Sequence, residues 1–317
     1  MSSPLISVIM PAYNCSDYIR QSIDSVLNQT YSNIELLIAD DCSTDNTKKI
    51  IDSYADPRIK TYHNEVNLGY LKTSNLLFGL CTGEYIAFQD ADDLTTLDRL
   101  ETQFTLLAND NSIGVCGCNL LFVDINGKEQ YCSRYFANAT EITNAMQNVV
   151  FEFSPNTFLF RKEILETVGG YNEYFNRIGA EDYYWTVLIM EKYKLVNIPA
   201  AMYYYRLNPD SITGNLTDNP KKLISGKLVS HLLKQRLANK TDDLQSGNID
   251  ALNTYVTNEL AGLAQTKSQF LYTLAKRYYY NNNKPRGIKL LFKAILANPL
   301  QSQYYKDLIY FLRNKNK

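Results

Sequence analysis

The chain has 317 residues, of which 45% are hydrophobic and 21% are charged, and its formal net charge is −1 at pH 7. This composition is ordinary for a folded globular protein and excludes an intrinsically disordered chain. The length predicts one large domain with an appendage, and no apolar run approaches the roughly 20 residues that a membrane-spanning helix needs.

The N-terminal residues give no sign of export. Residues 5–10 already form an apolar, β-branched run that Pro11 stops, and nothing before them resembles the basic and apolar regions of a signal peptide. The six cysteines lie in unrelated local settings, as expected of reduced, buried thiols. The only two histidines, His63 and His231, are far from any cysteine pair, which disfavours a structural zinc site. We therefore predict a cytoplasmic protein.

Strand and helix signals alternate from residue 5 to residue 88. Apolar runs typical of buried strands occupy 5–10, 34–39 and 85–88, and residues 58–63 predict a short third strand. The segments between them have helical periodicity, with Ser16 placed to cap the first helix and Leu76, Leu77 and Leu80 turned inward on the third. Such alternation is typical of a parallel sheet covered by helices on both faces. We predict an α/β domain over 1–218 and a C-terminal helical region over 219–317.

Acidic side chains follow two of these strands. The second ends in Asp40 and Asp41, and the fourth runs into Asp90, Asp92 and Asp93. The carboxyl ends of parallel strands share one edge, where open α/β sheets bind their ligands. Carboxylate oxygens at i, i+2 spacing beside such an edge suit Mg²⁺ or Mn²⁺ together with phosphate. The alternative is a solvated strand exit in which Asp93 caps the following helix.

Two familiar phosphate-binding motifs are absent from the sequence. The turn after the first strand, Pro11-Ala12-Tyr13-Asn14, is not the glycine-rich turn of a dinucleotide-binding fold, and no Walker-type glycine loop occurs. Phosphates bound at this edge would therefore need a cation to neutralise them, which favours a metal at Asp92.

A second acidic pair lies further along the chain. Glu181 and Asp182 precede an aromatic segment over 183–190 that has the character of a helix, and residues 202–206 predict an aromatic strand. Acids at a helix N-terminus are favoured by the helix dipole, so the pair is equally explained as a helix cap.

The C-terminal region is basic although the whole chain is nearly neutral. From Lys267 onward eleven Lys or Arg residues stand against the single acid Asp307, a net charge of +10, whereas the preceding residues carry 21 bases and 32 acids, a net charge of −11. Apolar stripes at 288, 291, 292, 295 and 296 and at 305, 308, 309 and 312 predict two amphipathic helices. These helices either pack within the protein or contact anionic lipid headgroups. The tail lacks a nucleic-acid recognition pattern, so no nucleic-acid partner is expected.

Five motifs in this order resemble the family 2 inverting glycosyltransferases of the GT-A fold. They are residues 7–14, residues 40–47, Asn67-Leu68-Gly69 with Asn75, Asp90-Ala91-Asp92, and Glu181-Asp182. Each motif is weak alone, but their common order and spacing over about residues 5–210 are specific. The resemblance implies a Rossmann-like, mostly parallel sheet with helices on both faces, and a nucleotide-sugar donor, usually a UDP-sugar.

The resemblance also implies which residues bind the donor. These are Pro11, Ala12, Tyr13, Asn14, Asp41, Lys72, Asn75, Asp90 and Ala91. Tyr13 would stack on the base, and Asp41 would accept a hydrogen bond from the uracil imide N–H. Asp90 would lie near the ribose, and Asp92 would hold Mn²⁺ or Mg²⁺ on the diphosphate.

On the acceptor side the resemblance implies a general base. Asp182 would take the proton of the attacking hydroxyl, with Glu181 as its neighbour, and residues 169–173 match the acceptor-side segment of the family. A single displacement of this kind inverts the anomeric centre.

The chain departs from the family pattern at two positions. The family often has Arg before the asparagine that matches Asn75, but Ser74 stands there, and Lys72 is the nearest cation. Many members have a histidine shortly after the arginine that matches Arg206, where this chain has Asn208. A second protein ligand to the metal or the diphosphate is therefore in question.

The implied function is sugar transfer from a nucleotide-sugar to a hydroxyl of a saccharide or lipid-linked acceptor, in surface polysaccharide synthesis. It would take place in the cytoplasm, with peripheral membrane contact through the basic tail. One alternative is a non-catalytic nucleotide-sugar-binding protein in which Asp182 only caps its helix. Another is a haloacid-dehalogenase-type phosphatase with Asp90 as nucleophile, although Asp93-Leu94 replace the Thr or Val that normally follows that motif.

Overall fold

The computed structural model describes residues 3–208, 219–264, 267–280 and 283–314. The chain divides into two units, Met1–Arg206 and Leu207–Lys317. Residues 209–218, which precede the predicted domain boundary, lie outside the described residues, and that boundary stays a prediction.

The first unit combines nine strands with seven α-helices among its described residues. The strands are β1 (Ile6–Ala12), β2 (Ile34–Asp40), β3 (Ile59–His63), β4 (Tyr85–Phe88), β5 (Leu94–Thr95), β6 (Ile113–Val123), β7 (Glu129–Cys132), β8 (Leu159–Arg161) and β9 (Lys194–Arg206). The helices are α1 (Ile19–Leu27), α2 (Thr47–Asp52), α3 (Tyr70–Leu80), α4 (Arg99–Asn109), α5 (Ala139–Gln147), α6 (Glu163–Val168) and α7 (Glu181–Met190).

All nine strands belong to one mixed sheet, in the order β3-β2-β1-β4-β8-β6-β9-β5 with β7 on β6. Strands β3, β2, β1 and β4 are parallel to one another. Strand β8 runs antiparallel between β4 and β6, while β9 is parallel to β6 and antiparallel to β5. The predicted α/β class is confirmed. The regular alternation of strands and helices predicted from the sequence corresponds to the parallel part of the sheet, β1 to β4. Beyond β4 the sheet is mixed, because β8 runs antiparallel to it.

Strands β1, β2 and β4 are buried almost throughout, as their continuous apolar sequences predict for strands covered on both faces. At the end of β4, a cluster of five aromatic rings joins several elements. Its members are Phe78 of α3, Phe88 of β4, Phe160 of β8, Trp185 of α7, and Tyr171 in the segment between α6 and α7. The ring centroids of contacting members are 5.1–6.3 Å apart. Such rings combine large apolar burial with favourable edge-to-face contacts. The cluster therefore fixes β4 and α7, which carry the two acidic segments, relative to each other.

Two local predictions in this unit were wrong. Ser16 does not cap α1, because the helix begins three residues later at Ile19 and the Ser16 N–H instead donates to Asp45. Leu77 is buried as predicted, but Leu76 is exposed and Leu80 only half-buried, because α3 begins at Tyr70 and turns a different face to the sheet. That face carries Leu71, Leu77 and Phe78.

The second unit consists of helices in its described residues. They are α8 (Ser225–Asn239), α9 (Ile249–Ala264), α10 (Lys267–Tyr280), α11 (Lys284–Ala297) and α12 (Ser302–Arg313). Helices α10, α11 and α12 share a core that includes Tyr279, Leu291 and Phe311. The predicted helical region is confirmed. No helix in the described ranges of either unit is both long and apolar enough to cross a membrane.

Most of the apolar stripe predicted on α12 does not face the core shared with α10 and α11. Tyr305, Ile309 and Leu312 are exposed, and Leu308 alone of that stripe is partly buried. The buried residues are Tyr304 and Phe311, because these rings find stacking partners on α10. Tyr304 stacks on Tyr272 at 4.5 Å and Phe311 stacks on Tyr279 at 3.6 Å between ring centroids.

Candidate active site

The carboxyl ends of β1, β2 and β4 meet at one edge of the sheet. Ala12 at the end of β1 pairs with Asp40 at the end of β2, and Ile9 of β1 pairs with Phe88 at the end of β4. Pro11 and Ala12, two of the residues predicted to bind the nucleotide, therefore lie between the two acidic segments.

The loops that follow β1 and β2 are hydrogen-bonded to each other. The Asn14 N–H donates to Ser43 Oγ at 3.0 Å, and Asn14 Oδ1 accepts from the Thr44 N–H at 2.8 Å. Asn14 adopts a left-handed backbone with φ 48° that makes this exchange possible. Beside it Tyr13 is 49% exposed. The loop thus presents an open aromatic ring on a fixed support, while the Asn14 amide oxygen is used by the protein itself.

Asp41 is buried, and its carboxylate is hydrogen-bonded to the loop before α3. Oδ1 accepts from Asn64 Nδ2 and from the Leu68 N–H, each at 2.8 Å, and Oδ2 accepts from the Gly69 N–H at 2.8 Å. A carboxylate has about four acceptor positions, so these three bonds leave one on Oδ2. Asp41 is therefore a support of the 64–69 loop as well as a candidate acceptor for a base N–H.

Lys72 and Asn75 both contact the segment that precedes α7. Lys72 Nζ lies 3.4 Å from Glu173 Oε2. Asn75 pairs with the peptide of Tyr171 in both directions, because Nδ2 donates to the Tyr171 carbonyl and Oδ1 accepts from the Tyr171 N–H, each at 2.8 Å. A Cβ on Gly170 would stand 2.6 Å from Asn75 Oδ1, so the close approach requires glycine there. Asn75 thus holds the segment predicted to face the acceptor.

The backbone of the acidic segment after β4 is fixed from several sides. The Asp90 N–H donates to Tyr203 Oη at 2.9 Å. Ser22 Oγ on α1 contacts the carbonyl oxygens of Ala91 at 2.9 Å and of Asp93 at 2.6 Å. Tyr70 Oη lies 3.5 Å from Asp90 Oδ1, at the limit of a hydrogen bond. The half-buried carboxylate of Asp90 therefore projects from a backbone with little freedom to move.

Asp93 is not a helix cap, contrary to the prediction. Its side chain is buried, and Oδ1 accepts from the Arg206 N–H at 2.7 Å. Strand β5 begins immediately after it and pairs with β9, so Asp93 connects two strands, and Asp98 occupies the N-cap position of α4. Burial, with the charges of Asp92 and Asp90 adding to it, raises the pKa of Asp93 well above its usual range.

Arg206, at the end of β9, clamps the same segment with its guanidinium. Nε donates to the Asp92 carbonyl at 2.8 Å, Nη1 to the Ile125 carbonyl at 3.1 Å and Nη2 to Gln21 Oε1 at 3.0 Å. The guanidinium also lies over the Tyr18 ring, 4.9 Å from its centroid. A lysine could not reproduce this fork of donors. Arg206 therefore fixes the backbone from which the half-buried Asp92 carboxylate projects.

The second acidic segment forms the first turn of α7. It follows a loop with three left-handed residues, Arg177, Gly179 and Ala180. Glu181 is buried, and its Oε2 has no hydrogen-bond partner in the part of the chain that the structure describes. Asp182 Oδ1 accepts from the Tyr183 N–H at 2.9 Å. The pair is thus held by burial and the helix start, with few bonds to its carboxylates.

Besides Asp93, three carboxyl groups across the two segments have raised pKa values. Burial raises the pKa of Asp90 to about 7, and the charges of Asp92 and Asp182 add to the effect. Burial also raises the pKa of Glu181 to about 8, with the charge of Asp182 adding, and that of Asp182 to about 6. Because the charge of Asp182 contributes to the raised pKa of Asp90, the two segments share one electrostatic environment. Raised carboxyl pKa values in a cluster are typical of functional sites.

The donor set suits a divalent cation that is shared with a phosphate ligand. Within residues 3–208, 219–264, 267–280 and 283–314, no group of three or more His, Cys, Asp or Glu side chains forms a complete metal site. Mg²⁺ and Mn²⁺ often use only one or two carboxylates and complete their shell with phosphate and water. Asp90 and Asp92 offer hard oxygens, and a cation would relieve their mutual repulsion, which adds to the effect of burial on the pKa of Asp90.

Sequence reasoning missed Tyr70, Tyr203 and Arg177 as parts of this arrangement. Tyr70 and Tyr203 contact Asp90, and Arg177 Nη2 donates to the Asn67 carbonyl at 2.8 Å, which joins the 64–69 loop to the loop before α7. The alternation along β9 could have placed Tyr203 on one face of a strand. Nothing local to the sequence indicates that the face lies against Asp90.

Comparison with known protein families gives a match over the first half of the chain. The sequence model of the family described as Glycosyl transferase family 2 matches residues 7–169. Putative glycosyltransferase EpsE of Bacillus subtilis (strain 168) is 33% identical over 214 residues, which are 66% of this chain and 76% of that protein. UDP-Glc:alpha-D-GlcNAc-diphosphoundecaprenol beta-1,3-glucosyltransferase WfaP of Escherichia coli is 30% identical over 212 residues, 67% of this chain and 80% of that protein.

Solved structures show the same fold at lower sequence identity. S. aureus TarS 1-349 in complex with UDP-GlcNAc matches with a TM-score of 0.60 and 20% identity, over 98% of this chain and 92% of that chain. The chain spans about half, 49%, of the longer TarS structure. Mannosyltransferase PcManGT from Pyrobaculum calidifontis, in complex with GDP-Man and Mn2+, matches with a TM-score of 0.55 and 17% identity, over 98% of this chain and 85% of that chain.

Proposed function

Because the chain belongs to glycosyl transferase family 2, we propose that its site moves a sugar from a UDP-sugar to a hydroxyl group of a lipid-linked saccharide, with inversion at the anomeric carbon. The observation that carries the proposal is the approach of the two acidic segments: Phe88 at the end of β4 packs against Trp185 of α7 with ring centroids 6.1 Å apart, and the charge of Asp182 adds to the raised pKa of Asp90. One segment would serve the leaving group of the donor, and the other would serve the acceptor.

The donor side follows from the loops at the sheet edge. Tyr13 offers an exposed ring on which a base can stack, and Asp41 keeps one acceptor position for a base N–H. UDP is favoured as the nucleotide because WfaP is named for UDP-Glc and TarS 1-349 was solved with UDP-GlcNAc. Asp90 would contact the ribose from its fixed backbone.

Asp92, with Asp90 beside it, would hold Mn²⁺ or Mg²⁺ against the diphosphate. Such a cation stabilises the charge that develops on a leaving diphosphate. PcManGT was solved with Mn2+, which supports a divalent cation in this fold. The contribution of the chain itself is position, because Arg206, Ser22 and Tyr203 fix the backbone of the segment before any ligand arrives.

Asp182 would be the general base. Burial raises the pKa of both carboxyls, Asp182 and Glu181. Asp182 Oδ1 accepts from the Tyr183 N–H at 2.9 Å, which favours its ionised form, whereas Glu181 Oε2 has no hydrogen-bond partner among the described residues. Two neighbouring carboxyls in such different surroundings can thus be assigned different roles. Asp182 would accept the proton of the attacking hydroxyl, and neutral Glu181 would avoid a second negative charge beside it.

The acceptor would approach on the side of residues 169–173, which Asn75 holds in place. A lipid-linked saccharide is favoured because WfaP is named for a GlcNAc-diphosphoundecaprenol acceptor. Such an acceptor suits surface polysaccharide synthesis on the cytoplasmic face of a membrane. Family membership removes the phosphatase alternative.

A non-catalytic donor-binding protein remains the second candidate. One observation favours it, since Asp182 Oδ1 accepts an N–H of the first turn of α7, as a structural acid would. The two candidates differ in whether the bound donor is consumed.

The deciding experiment measures sugar transfer from a panel of UDP-sugars to a diphospholipid-linked saccharide with Mn²⁺. Asp182→Asn keeps the shape of the side chain, and we expect it to lower kcat by about 10² to 10⁴ while UDP binding is retained. Asp98→Asn is the matched control, because Asp98 is an exposed aspartate at the start of α4 whose side chain makes no capping bond. UDP binding without donor consumption by the wild type would overturn the proposal in favour of the non-catalytic candidate.

A further inference from the structure

Helix α12 carries two apolar stripes, and only one of them is buried. Tyr304 and Phe311 pack into the core shared with α10 and α11. Tyr305, Ile309 and Leu312, at i, i+4 and i+7, form a second stripe whose members are 42%, 52% and 49% exposed. Three large apolar side chains in register on one helix face form a continuous apolar surface rather than scattered exposure.

Helix α11 and the turn after it also carry exposed apolar side chains. Leu291 and Ile295 are buried on α11, whereas Phe292 is 47% and Leu296 82% exposed. Leu300, in the turn between α11 and α12, is 93% exposed. The six residues Phe292, Leu296, Leu300, Tyr305, Ile309 and Leu312 are called the hairpin patch below.

Exposed basic residues lie beside the patch on both helices. Lys289 and Lys293 are exposed beside Phe292 on α11. Lys306 and Arg313 are exposed next to Tyr305 and Leu312 on α12. None of these four forms an ion pair with another described residue. Asp307, the only acid in this part of the sequence, accepts hydrogen bonds from Tyr272 Oη at 2.6 Å and Gln303 Nε2 at 2.8 Å. The surroundings of the patch are therefore strongly positive.

We propose that the hairpin patch docks on an anionic lipid bilayer, with its apolar side chains at the boundary between headgroups and acyl chains and its lysines at the headgroups. The proposal rests on the proposed function, because a lipid-linked acceptor is held in such a surface. Apolar residues beside a basic band are typical of helices that lie in the membrane interface, and tyrosine is favoured there. Lys and Arg add attraction to anionic lipids.

The charge of the patch argues for a bilayer over a second copy of this chain. A symmetric pair of patches would bring the four basic side chains of each copy together without a carboxylate between them, and like charges in one interface are costly. An anionic bilayer satisfies the apolar residues and the basic residues at once. An acidic protein partner is the remaining occupant with the same chemistry.

The test is sedimentation of the full-length protein with vesicles of phosphatidylcholine alone or of phosphatidylcholine mixed with phosphatidylglycerol. We expect binding to the anionic vesicles only, weakened by added NaCl. Leu296→Ser/Ile309→Ser/Leu312→Ser removes apolar contacts, and Lys289→Glu/Lys293→Glu reverses two charges. Each should lose at least tenfold in vesicle affinity, since one lysine near an anionic surface contributes about fivefold.

Matched controls make the same chemical changes at exposed positions elsewhere. Leu97→Ser/Leu237→Ser/Ile249→Ser removes two leucines and one isoleucine, and Lys48→Glu/Lys49→Glu reverses two charges on α2. Equal binding to neutral vesicles, equal loss in the controls, or conversion of a dimer to a monomer by the apolar variant would overturn the proposal. So would an absence of vesicle binding by a wild type that transfers sugar. With a detergent-dissolved acceptor every variant should keep wild-type transfer, so loss of transfer by the wild type counts against the proposed function alone.

Discussion

The two acidic segments of the site are built in opposite ways. After β4, the backbone of residues 90–93 is held by side chains from two other elements, Ser22 of α1 and Tyr203 and Arg206 of β9. At the start of α7, Glu181 and Asp182 make few side-chain hydrogen bonds and are set apart by burial. A cation site needs fixed oxygens, whereas a general base needs an adjusted pKa. The difference suggests that position matters most in the first segment and titration in the second.

The largest effect should come from the cation side. Asp92→Asn removes a charged oxygen ligand and should lower transfer about a thousandfold, since a divalent cation contributes several kcal/mol to the stabilisation of a leaving diphosphate. EDTA should abolish wild-type transfer and added Mn²⁺ should restore it. The measurement is initial rate against Mn²⁺ concentration. Transfer that continues undiminished in chelator would remove the metal from the mechanism.

Loosening the clamp should have a smaller effect of a different kind. Arg206→Lys loses the forked contacts to Asp92, Ile125 and Gln21. We therefore expect the free energy of unfolding to fall by about 2 kcal/mol and the half-saturating Mn²⁺ concentration to rise about tenfold. Urea unfolding and the half-saturating Mn²⁺ concentration measure the two parts. The matched control is Arg58→Lys, because Arg58 pairs with its near neighbour Asp56. An unchanged Mn²⁺ requirement would show that the clamp is purely structural.

The titration of the second segment predicts a pH dependence. The pKa of Asp182 is raised to about 6, and the base must be ionised, so kcat should fall about tenfold per pH unit below pH 6 and level off above it. The profile of kcat against pH at saturating donor and Mn²⁺ measures this limb. A limb near pH 4 would mean that burial does not adjust the base as described.

The smallest effect should come from Asn75. Asn75→Ala loses both hydrogen bonds to the Tyr171 peptide, which should cost about 1 to 2 kcal/mol and raise the acceptor KM several-fold. The donor KM should stay close to that of the wild type. Asn144→Ala, at an exposed position of α5, is the control. A rise confined to the donor KM would return Asn75 to the donor-binding role that the resemblance implied.

The sequence predicts the first segment well because its signals are local. A buried strand followed at once by acids needs only the neighbouring residues to be recognised, and the parallel register then places those acids at the ligand-binding edge. The groups that hold them are remote: Tyr203 lies 113 residues from Asp90 in sequence, and Arg206 lies 114 from Asp92. No periodicity in the chain connects such positions.

The helices of the second unit show a different limit. On α12 both the stripe with Tyr304 and Phe311 and the stripe with Tyr305, Ile309 and Leu312 fit helical periodicity, so the pattern alone cannot say which is buried. The stacking of Tyr304 and Phe311 on α10 decides it. The stripe predicted on α12 from the sequence supplies three residues of the hairpin patch, Tyr305, Ile309 and Leu312.

The most direct test of the division between the two segments is UDP binding by isothermal titration with and without Mn²⁺. Wild type and Asp182→Asn should bind UDP with the same Mn²⁺-dependent gain in affinity, because the base takes no part in holding the diphosphate. Asp92→Asn should bind UDP with no such gain. A gain that survives in Asp92→Asn, or that disappears in Asp182→Asn, would contradict the assignment of the cation to one segment and proton transfer to the other.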